Sequence, residues 1–326
     1  MDFSSSNKYG GYDDDEKNWL RWAIVIPVLI IIIFITLGPR LLVGKPEVDA
    51  EAAVLMDMHT GELLMDVNGD TPMPSANMSK LMTELLVLED IRTGKLGWND
   101  EVRISRYAST VGGINLSLRY GERMTVSELF QSMVVYSAND AAVALAERSA
   151  GSEATFVKRM NEKAAQIGLS PDSRFSNASG AGQDELGPNH PEDIRGETKM
   201  TASDTAKLAS YLIASHPEIL KTSSRTQMEL KDKGLYISNT NWMLPSLDGP
   251  YSYAGTDGLK AGYTSDAGYC FTGTAEQHGR RLIAVVLGAA SKEERFKQTR
   301  KLFDYGFSLF TSFPVRLQNL VKLSLY

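Results

Sequence analysis

The order of the hydrophobic patterns along the chain constrains the fold more than any other feature. Residues 53–57 and 63–66 are short apolar runs typical of strands, and the short turn between them contains glycine, which predicts a β-hairpin. Helical periodicity fills the middle of the chain, and strand patterns return after residue 235. Since strands at both ends enclose a block of helices, we expect an α+β fold. Its antiparallel sheet would be assembled from both ends of the chain.

Local signals place the predicted elements. Thr125 and Glu128 form a capping pattern that opens one helix, and Thr201 with Asp204 opens another. The predicted helices span residues 79–93, 125–133, 140–150, 156–167, 201–214 and 292–307. The later predicted strands span residues 258–260, 268–274 and 281–288, the last two pairing across 277–279.

Composition excludes several classes of protein. The 326 residues are 43% hydrophobic and 23% charged, as in a globular protein, and the net charge is −6 without a basic stripe. We therefore expect no nucleic-acid partner. The single cysteine, Cys270, excludes an internal disulfide. The four histidines lack the spacing of metal ligands, so we expect neither a metal nor a cofactor.

The N-terminal segment predicts attachment to a membrane. Residues 1–18 are polar and acidic, which is typical of a disordered tail on the cytoplasmic side. Residues 22–38 carry no charge, and we predict a transmembrane signal anchor over 19–43. A cleaved signal peptide is the alternative, against which the long polar lead and long apolar run argue.

Flanking charges give the predicted orientation. Lys8, Lys17 and Arg21 precede the span, whereas only Arg40 and Lys45 follow it closely. Because cytoplasmic flanks carry the excess of basic residues, the N-terminus would lie inside and the large domain outside a bacterial cell membrane. The predicted organisation continues with a linker at 44–50, the domain at 51–310 and a short tail at 311–326.

Three short motifs carry candidate chemistry. Asn77 precedes Lys80 by three residues at the start of a predicted helix, so both side chains lie on one helical face. The second motif is Ser137-Ala138-Asn139, which by itself would suit a helix N-cap. The third is Lys260-Ala261-Gly262 in a predicted strand.

Together with further segments, these motifs carry a family resemblance. The segments are 136–142, 151–152, 156–161, 168–169, 175–177 and 257–264. Over residues 48–307 the chain resembles the serine D-alanyl-D-alanine carboxypeptidases of the low-molecular-mass penicillin-binding proteins. This resemblance implies a penicillin-binding/β-lactamase-like transpeptidase fold, in which an antiparallel sheet carries a helical subdomain. It also implies peptidoglycan stem peptides ending in D-Ala–D-Ala, or β-lactams, as ligands.

The resemblance assigns a role to each motif. Lys80 matches the general base of Ser-x-x-Lys, and Asn77 stands where the nucleophilic serine belongs. Ser137 would relay protons, and Asn139 would hold substrate amides. Lys260, Ala261 and Gly262 occupy the substrate-binding Lys-Thr-Gly, so the threonine hydroxyl is missing. A charge-assisted hydrogen bond of this kind contributes roughly 1.5–3 kcal/mol.

The two departures weigh against ordinary catalysis. A carboxamide cannot form an acyl ester, Ser79 faces away from Asn77 by helical geometry, and Ser75 lies outside the helix. Asn77 is either an introduced substitution or a natural loss, and the second departure at Ala261 favours natural loss. The segment 182–199 is longer than is usual in the family and is either a binding loop or a tolerated surface insertion.

Three functional hypotheses follow. The first is a membrane-anchored, catalytically impaired carboxypeptidase-like protein that binds stem peptides or a partner protein. The second is an active serine carboxypeptidase whose Asn77 was introduced. The third is a structural or interaction protein in envelope assembly or sporulation.

Overall fold

The computed structural model describes residues 22–28, 44–230 and 233–310. One compact unit, Pro46–Gly306, contains the sheet, the helical block and the candidate site. Of the second unit, the structure describes residues 22–28, 44–45 and 307–310. Residues 22–28 are helical and are called α1.

A five-stranded antiparallel sheet forms one layer of the fold, as the sequence predicts. Its strands are β1 (Ala52–Asp57), β2 (Leu63–Val67), β9 (Thr256–Thr264), β10 (Gly268–Gln277) and β11 (Arg280–Ala289). Their order is β2-β1-β11-β10-β9, so the first strand pairs with the last one. The register places Ala52 opposite Leu287 and Asp57 opposite Leu282. The sheet is therefore assembled from both ends of the chain.

Three two-stranded ladders, which the sequence did not predict, tie loops to this framework. They are β3 (Met73–Pro74) with β6 (Lys199–Met200), β4 (Glu101–Arg103) with β5 (Arg123–Thr125), and β7 (Gln227–Leu230) with β8 (Leu235–Ser238). Strands this short carry little periodic signal, and their pairing depends on tertiary context.

The helices match the predicted block. They are α2 (Lys80–Arg92), α3 (Val126–Tyr136), α4 (Asn139–Ala150), α5 (Glu153–Gln166), α6 (Ala202–Ser215), α7 (Ile219–Ser223) and α8 (Lys292–Ser308). The predicted capping box at Thr125 and Glu128 is present. Helix α5 begins three residues earlier than predicted, because the Ser152 side chain accepts the Thr155 N–H and caps it. The short α7 was not predicted.

Helix α2 runs through the core. Every residue from Lys80 to Leu88 is buried, so the helix is enclosed on all sides. Charged side chains on such a helix need internal partners, because an isolated buried charge is costly. Lys80 and Glu84 both face this requirement.

Several predictions fall outside the described residues. The tail at 1–18, the tail at 311–326 and all of the anchor except residues 22–28 belong to this category. None of the helices that the structure describes combines the length and apolarity needed to cross a bilayer. The anchor at 19–43 stays a prediction.

Candidate active site

The first motif lies where a 3-10 turn, Ala76–Ser79, enters α2. Ala76 has a φ of 46°, a left-handed conformation that residues with a Cβ rarely adopt. Such local strain is typical of functional turns. The turn places Asn77, which is only 5% exposed, three residues and thus nearly one helical turn before Lys80.

Lys80 connects the first two motifs. Its Nζ donates to Asn77 Oδ1 at 2.9 Å, to Asn139 Oδ1 at 2.6 Å and to the Ser179 carbonyl at 2.5 Å. Three oxygen acceptors therefore surround the Lys80 nitrogen. Burial, and secondly the charge of Lys260, hold the pKa of Lys80 well below its usual value. Its partner at residue 77 is an acceptor with no proton to transfer.

The neighbouring serines make no hydrogen bond with Lys80. The Ser79 hydroxyl donates to the Asn177 carbonyl at 2.9 Å, so it is committed elsewhere. Ser75 is fully buried, and its hydroxyl has no hydrogen-bond partner among the described residues. The geometry therefore gives neither serine the activated position that Asn77 occupies.

The second motif spans the junction between α3 and α4. Ser137 ends α3 in a left-handed conformation with φ 67°, and its buried hydroxyl lacks a hydrogen-bond partner in the described structure. Asn139 is the first residue of α4, whose N-cap is Ala138. The Asn139 amide donates to the Gly112 carbonyl at 2.8 Å while its oxygen accepts from Lys80. The motif thus serves the site rather than capping the helix.

The third motif lies in β9, the last strand of the described sheet, and passes close to Asn77. A Cβ at Gly262 would lie 2.8 Å from the Asn77 backbone nitrogen, so this approach requires glycine. The Asn77 amide donates to the Ala261 carbonyl in a long contact of 3.4 Å. The Asn77 side chain therefore bridges Lys80 and β9.

Lys260 has partners that the sequence did not reveal. Its Nζ donates to the Met133 and Val134 carbonyls of α3 at 2.9 and 3.0 Å, and it lies 2.6 Å from Glu84 Oε1. The C-terminal end of a helix attracts a cation, which explains the first two contacts. Burial raises the pKa of Glu84, and Lys260 opposes that shift. The sequence signal that could have indicated this pair is Glu84 itself, an acidic residue within an apolar helix.

Arg295 of α8 is a second residue that sequence reasoning missed. Its Nη1 donates to the Gly262 carbonyl at 2.9 Å, and the side chain is 4% exposed. Among the described residues its guanidinium lies over the rings of Tyr269 and Phe296 and forms no ion pair with a carboxylate, and its Nε has no hydrogen-bond partner there. Burial lowers the pKa of Arg295 to about 10. It is a buried cation beside β9, although nothing in the local sequence distinguishes it.

The segment 182–199, predicted to be an insertion, contacts the loop that precedes the second motif. The Gly112 N–H donates to the Glu185 carbonyl at 2.6 Å, and Asn189 bonds to Thr110 at 3.2 Å. Gly112 is the same residue whose carbonyl accepts from Asn139. Segment 182–199 is therefore packed against the residues that support the second motif. Within the described ranges, no group of acidic, histidine or cysteine side chains could hold a metal ion.

Glu153 holds a backbone segment next to the site, and its burial predicts that the stability of the protein depends on pH. Its Oε1 accepts the Ala178 N–H at 2.8 Å, next to the Ser179 carbonyl that holds Lys80. Burial raises the pKa of Glu153 from 4.5 to about 7. Between pH 4.5 and about 7, Glu153 therefore holds a proton in the folded state that it has lost in the unfolded state. The stability from this group is complete below pH 4.5 and is lost as the pH rises through 7.

We expect Glu153→Gln to remove this pH dependence. The pKa shift from 4.5 to about 7 corresponds to about 3 kcal/mol. The free energy of unfolding of the variant, relative to that of the wild type, should therefore be higher at pH 8 than at pH 4.5 by up to this amount. Urea unfolding at both pH values measures the difference. Glu162→Gln, at an exposed glutamate on the same helix, is the control and should leave the dependence unchanged. Parallel pH profiles for the wild type and Glu153→Gln would contradict the prediction.

Comparison with known proteins supplies the family. The family model described as D-alanyl-D-alanine carboxypeptidase matches residues 41–291. The chain belongs to the D-alanyl-D-alanine carboxypeptidase family. Among the similar proteins is D-alanyl-D-alanine carboxypeptidase DacF of Bacillus subtilis, 36% identical over 274 residues. That match covers 83% of this chain and 65% of DacF, so the chain spans just under two thirds of that relative's length.

Solved structures of penicillin-binding proteins share the fold of this D-alanyl-D-alanine carboxypeptidase family member. Penicillin-binding protein D2 of Listeria monocytogenes, solved with ampicillin bound, is 37% identical with a TM-score of 0.70. The match covers 81% of this chain and 99% of that one. A peptidoglycan synthesis regulatory factor (PBP3) of Streptococcus pneumoniae is 34% identical with a TM-score of 0.74, covering 81% and 80%. The predicted family and the penicillin-binding-protein fold are confirmed.

Proposed function

We propose that this protein is a membrane-anchored D-alanyl-D-alanine carboxypeptidase-like protein of peptidoglycan metabolism that binds stem peptides without efficient turnover. The observation that carries the proposal is the hydrogen bond from Lys80 Nζ to Asn77 Oδ1. A binding framework surrounds this contact, yet the residue opposite the amine offers a carboxamide oxygen. Acyl transfer needs a hydroxyl or thiol at that position.

The surroundings suit an extended peptide with a C-terminal carboxylate. An edge strand such as β9 can pair with a peptide backbone, and Gly262 lets this strand lie directly against Asn77. Asn139 offers amide hydrogen-bonding groups on the other side. Arg295, a cation without a carboxylate partner in the described structure, supplies the charge that would attract the peptide's terminus. The missing hydroxyl at Ala261 would weaken this binding.

Binding without acylation distinguishes this function from the alternatives. We expect the full chain to bind diacetyl-L-lysyl-D-alanyl-D-alanine in calorimetry, to release no D-alanine and to show no covalent labelling by a fluorescent penicillin. Denaturing electrophoresis after long incubation detects labelling. Stoichiometric labelling of the wild-type chain would contradict impaired catalysis. Absence of peptide binding would favour a role that depends on protein partners alone.

Membrane anchoring is the second part of the proposal. The uncharged run at 22–38 and the tryptophans at its start support an anchor, with the carboxypeptidase-like domain facing outward. The full chain should stay with the membrane fraction after alkaline extraction. External protease should digest the domain in spheroplasts. Release of the chain by alkali would argue against an integral anchor.

A further inference from the structure

The two lysines of the site differ in the partners of their amines. Lys80 contacts three neutral oxygens, whereas Lys260 lies 2.6 Å from the carboxylate of Glu84. Both members of the Lys260–Glu84 pair are 1% exposed. Glu84 lies one helical turn after Lys80 on α2, so its side chain reaches Lys260 from the core side of the site.

The remaining contacts of Lys260 also point into the protein. Two of its N–H bonds go to the Met133 and Val134 carbonyls in the last turn of α3. The Glu84 carboxylate lies within ion-pair distance of the same amine. In a buried site this closeness is sufficient for strong attraction. Lys260 is thus held by two carbonyls and one carboxylate of the protein itself.

We propose that Glu84 cancels the charge of Lys260 toward the cleft and thereby limits how strongly the site prefers a ligand with a free C-terminal carboxylate. This inference rests on the proposed function, since it concerns the peptide that the same site would bind. The pair contributes no net charge at the distance of a ligand. Preference for a carboxylate then depends on Arg295, which has no such partner among the described residues. Glu84 acts through Lys260 and is a positioning residue.

Two variants separate this role from a merely structural one. Glu84→Gln removes the carboxylate and keeps the Lys260 side chain with its two carbonyl acceptors, so we expect a more positive cleft. The double variant Glu84→Met with Lys260→Met removes both charges together. Replacing a buried ion pair by apolar residues of similar volume is often tolerated, which protects the double variant against unfolding. The control is Glu89→Gln on the same helix, whose ion pair with Lys163 lies at 2.9 Å.

The measurement compares two probes, diacetyl-L-lysyl-D-alanyl-D-alanine and its C-terminal amide, by calorimetry with the full chain at low salt. The readout is the ratio of the two dissociation constants. Glu84→Gln should increase the preference for the acid about tenfold, the size expected for one partly screened charge. The double variant and Glu89→Gln should keep the wild-type ratio within about twofold.

The outcomes distinguish failure of this inference from failure of the proposed function. If the double variant loses the preference for the acid, Lys260 acts directly on the carboxylate and the inference is wrong. An unchanged ratio in folded Glu84→Gln overturns it as well. If only Glu84→Gln binds the acid, the inference holds while the proposed function of the wild type fails. If no variant binds either peptide, both are overturned.

Discussion

Asn77→Ser is expected to allow covalent labelling by penicillin, which the proposed function does not expect of the wild-type chain. The substitution places a hydroxyl opposite Lys80 Nζ, which now lies 2.9 Å from the Asn77 carboxamide oxygen. Because burial already lowers the pKa of Lys80, the amine can accept the hydroxyl proton. Loss of a serine nucleophile costs roughly a millionfold in a serine protease. We therefore expect an increase of at least about a thousandfold in acylation rate, even with Ala261 unchanged.

The controls for this prediction use the same position. Asn77→Ala removes the carboxamide without adding a hydroxyl and should stay unlabelled. Lys80→Met in the Asn77→Ser background should abolish labelling, since the base is lost. Labelling that needs Ala261→Thr as well would indicate an older loss of catalysis. A folded Asn77→Ser, Ala261→Thr variant that penicillin does not label would show that the rest of the site is unsound.

Gly180→Ala is expected to destabilise the protein by more than about 3 kcal/mol, the range of severe single substitutions. A Cβ at Gly180 would lie 2.0 Å from the Ala76 carbonyl oxygen and 2.8 Å from its carbon. Both atoms belong to backbone at the strained entrance to the site, so neither can move cheaply. Gly180 also follows Ser179, whose carbonyl holds Lys80.

Gly168→Ala is a matched control for this steric effect. Gly180 and Gly168 have nearly the same φ, 73° and 74°, but a Cβ at Gly168 would meet nothing within 4 Å. The control should cost only the conformational penalty of about 1–2 kcal/mol. Urea unfolding of the full chain gives both values. Equal costs for the two substitutions would show that the contact with Ala76 is not limiting.

Local patterns predicted much of this fold because its main elements are long and periodic. The capping signal at Thr125 and the hydrophobic runs at 268–274 and 281–288 each report on their own segment. The missed start of α5 depended on a single serine cap, and the missed β3–β6 ladder joins segments far apart in sequence. Such features are set by tertiary context, which overrides local propensity.

In the candidate site, too, some features follow from the local sequence and others are set by tertiary context. The motifs and the family resemblance named the candidate residues, and the structure brings Asn77 and Asn139 into contact with Lys80. The partners behind them were not predicted. Glu84 and Lys260 are in contact but far apart in sequence. The hydrogen bond from Arg295 to Gly262 depends on how α8 packs on the sheet. Charge balance is a three-dimensional property that one-dimensional spacing does not contain.

The place of β1 in the sheet has a consequence for biogenesis. Strand β1 is among the first parts of the domain to leave the ribosome, and its partner β11, from Arg280 to Ala289, is among the last. The hairpin with β2 can form at once, but the other side of β1 stays unpaired until nearly the whole domain has been synthesised. Pairings of such long sequence separation are slow to form. An apolar strand edge is therefore exposed throughout synthesis and is closed only when the final hairpin arrives.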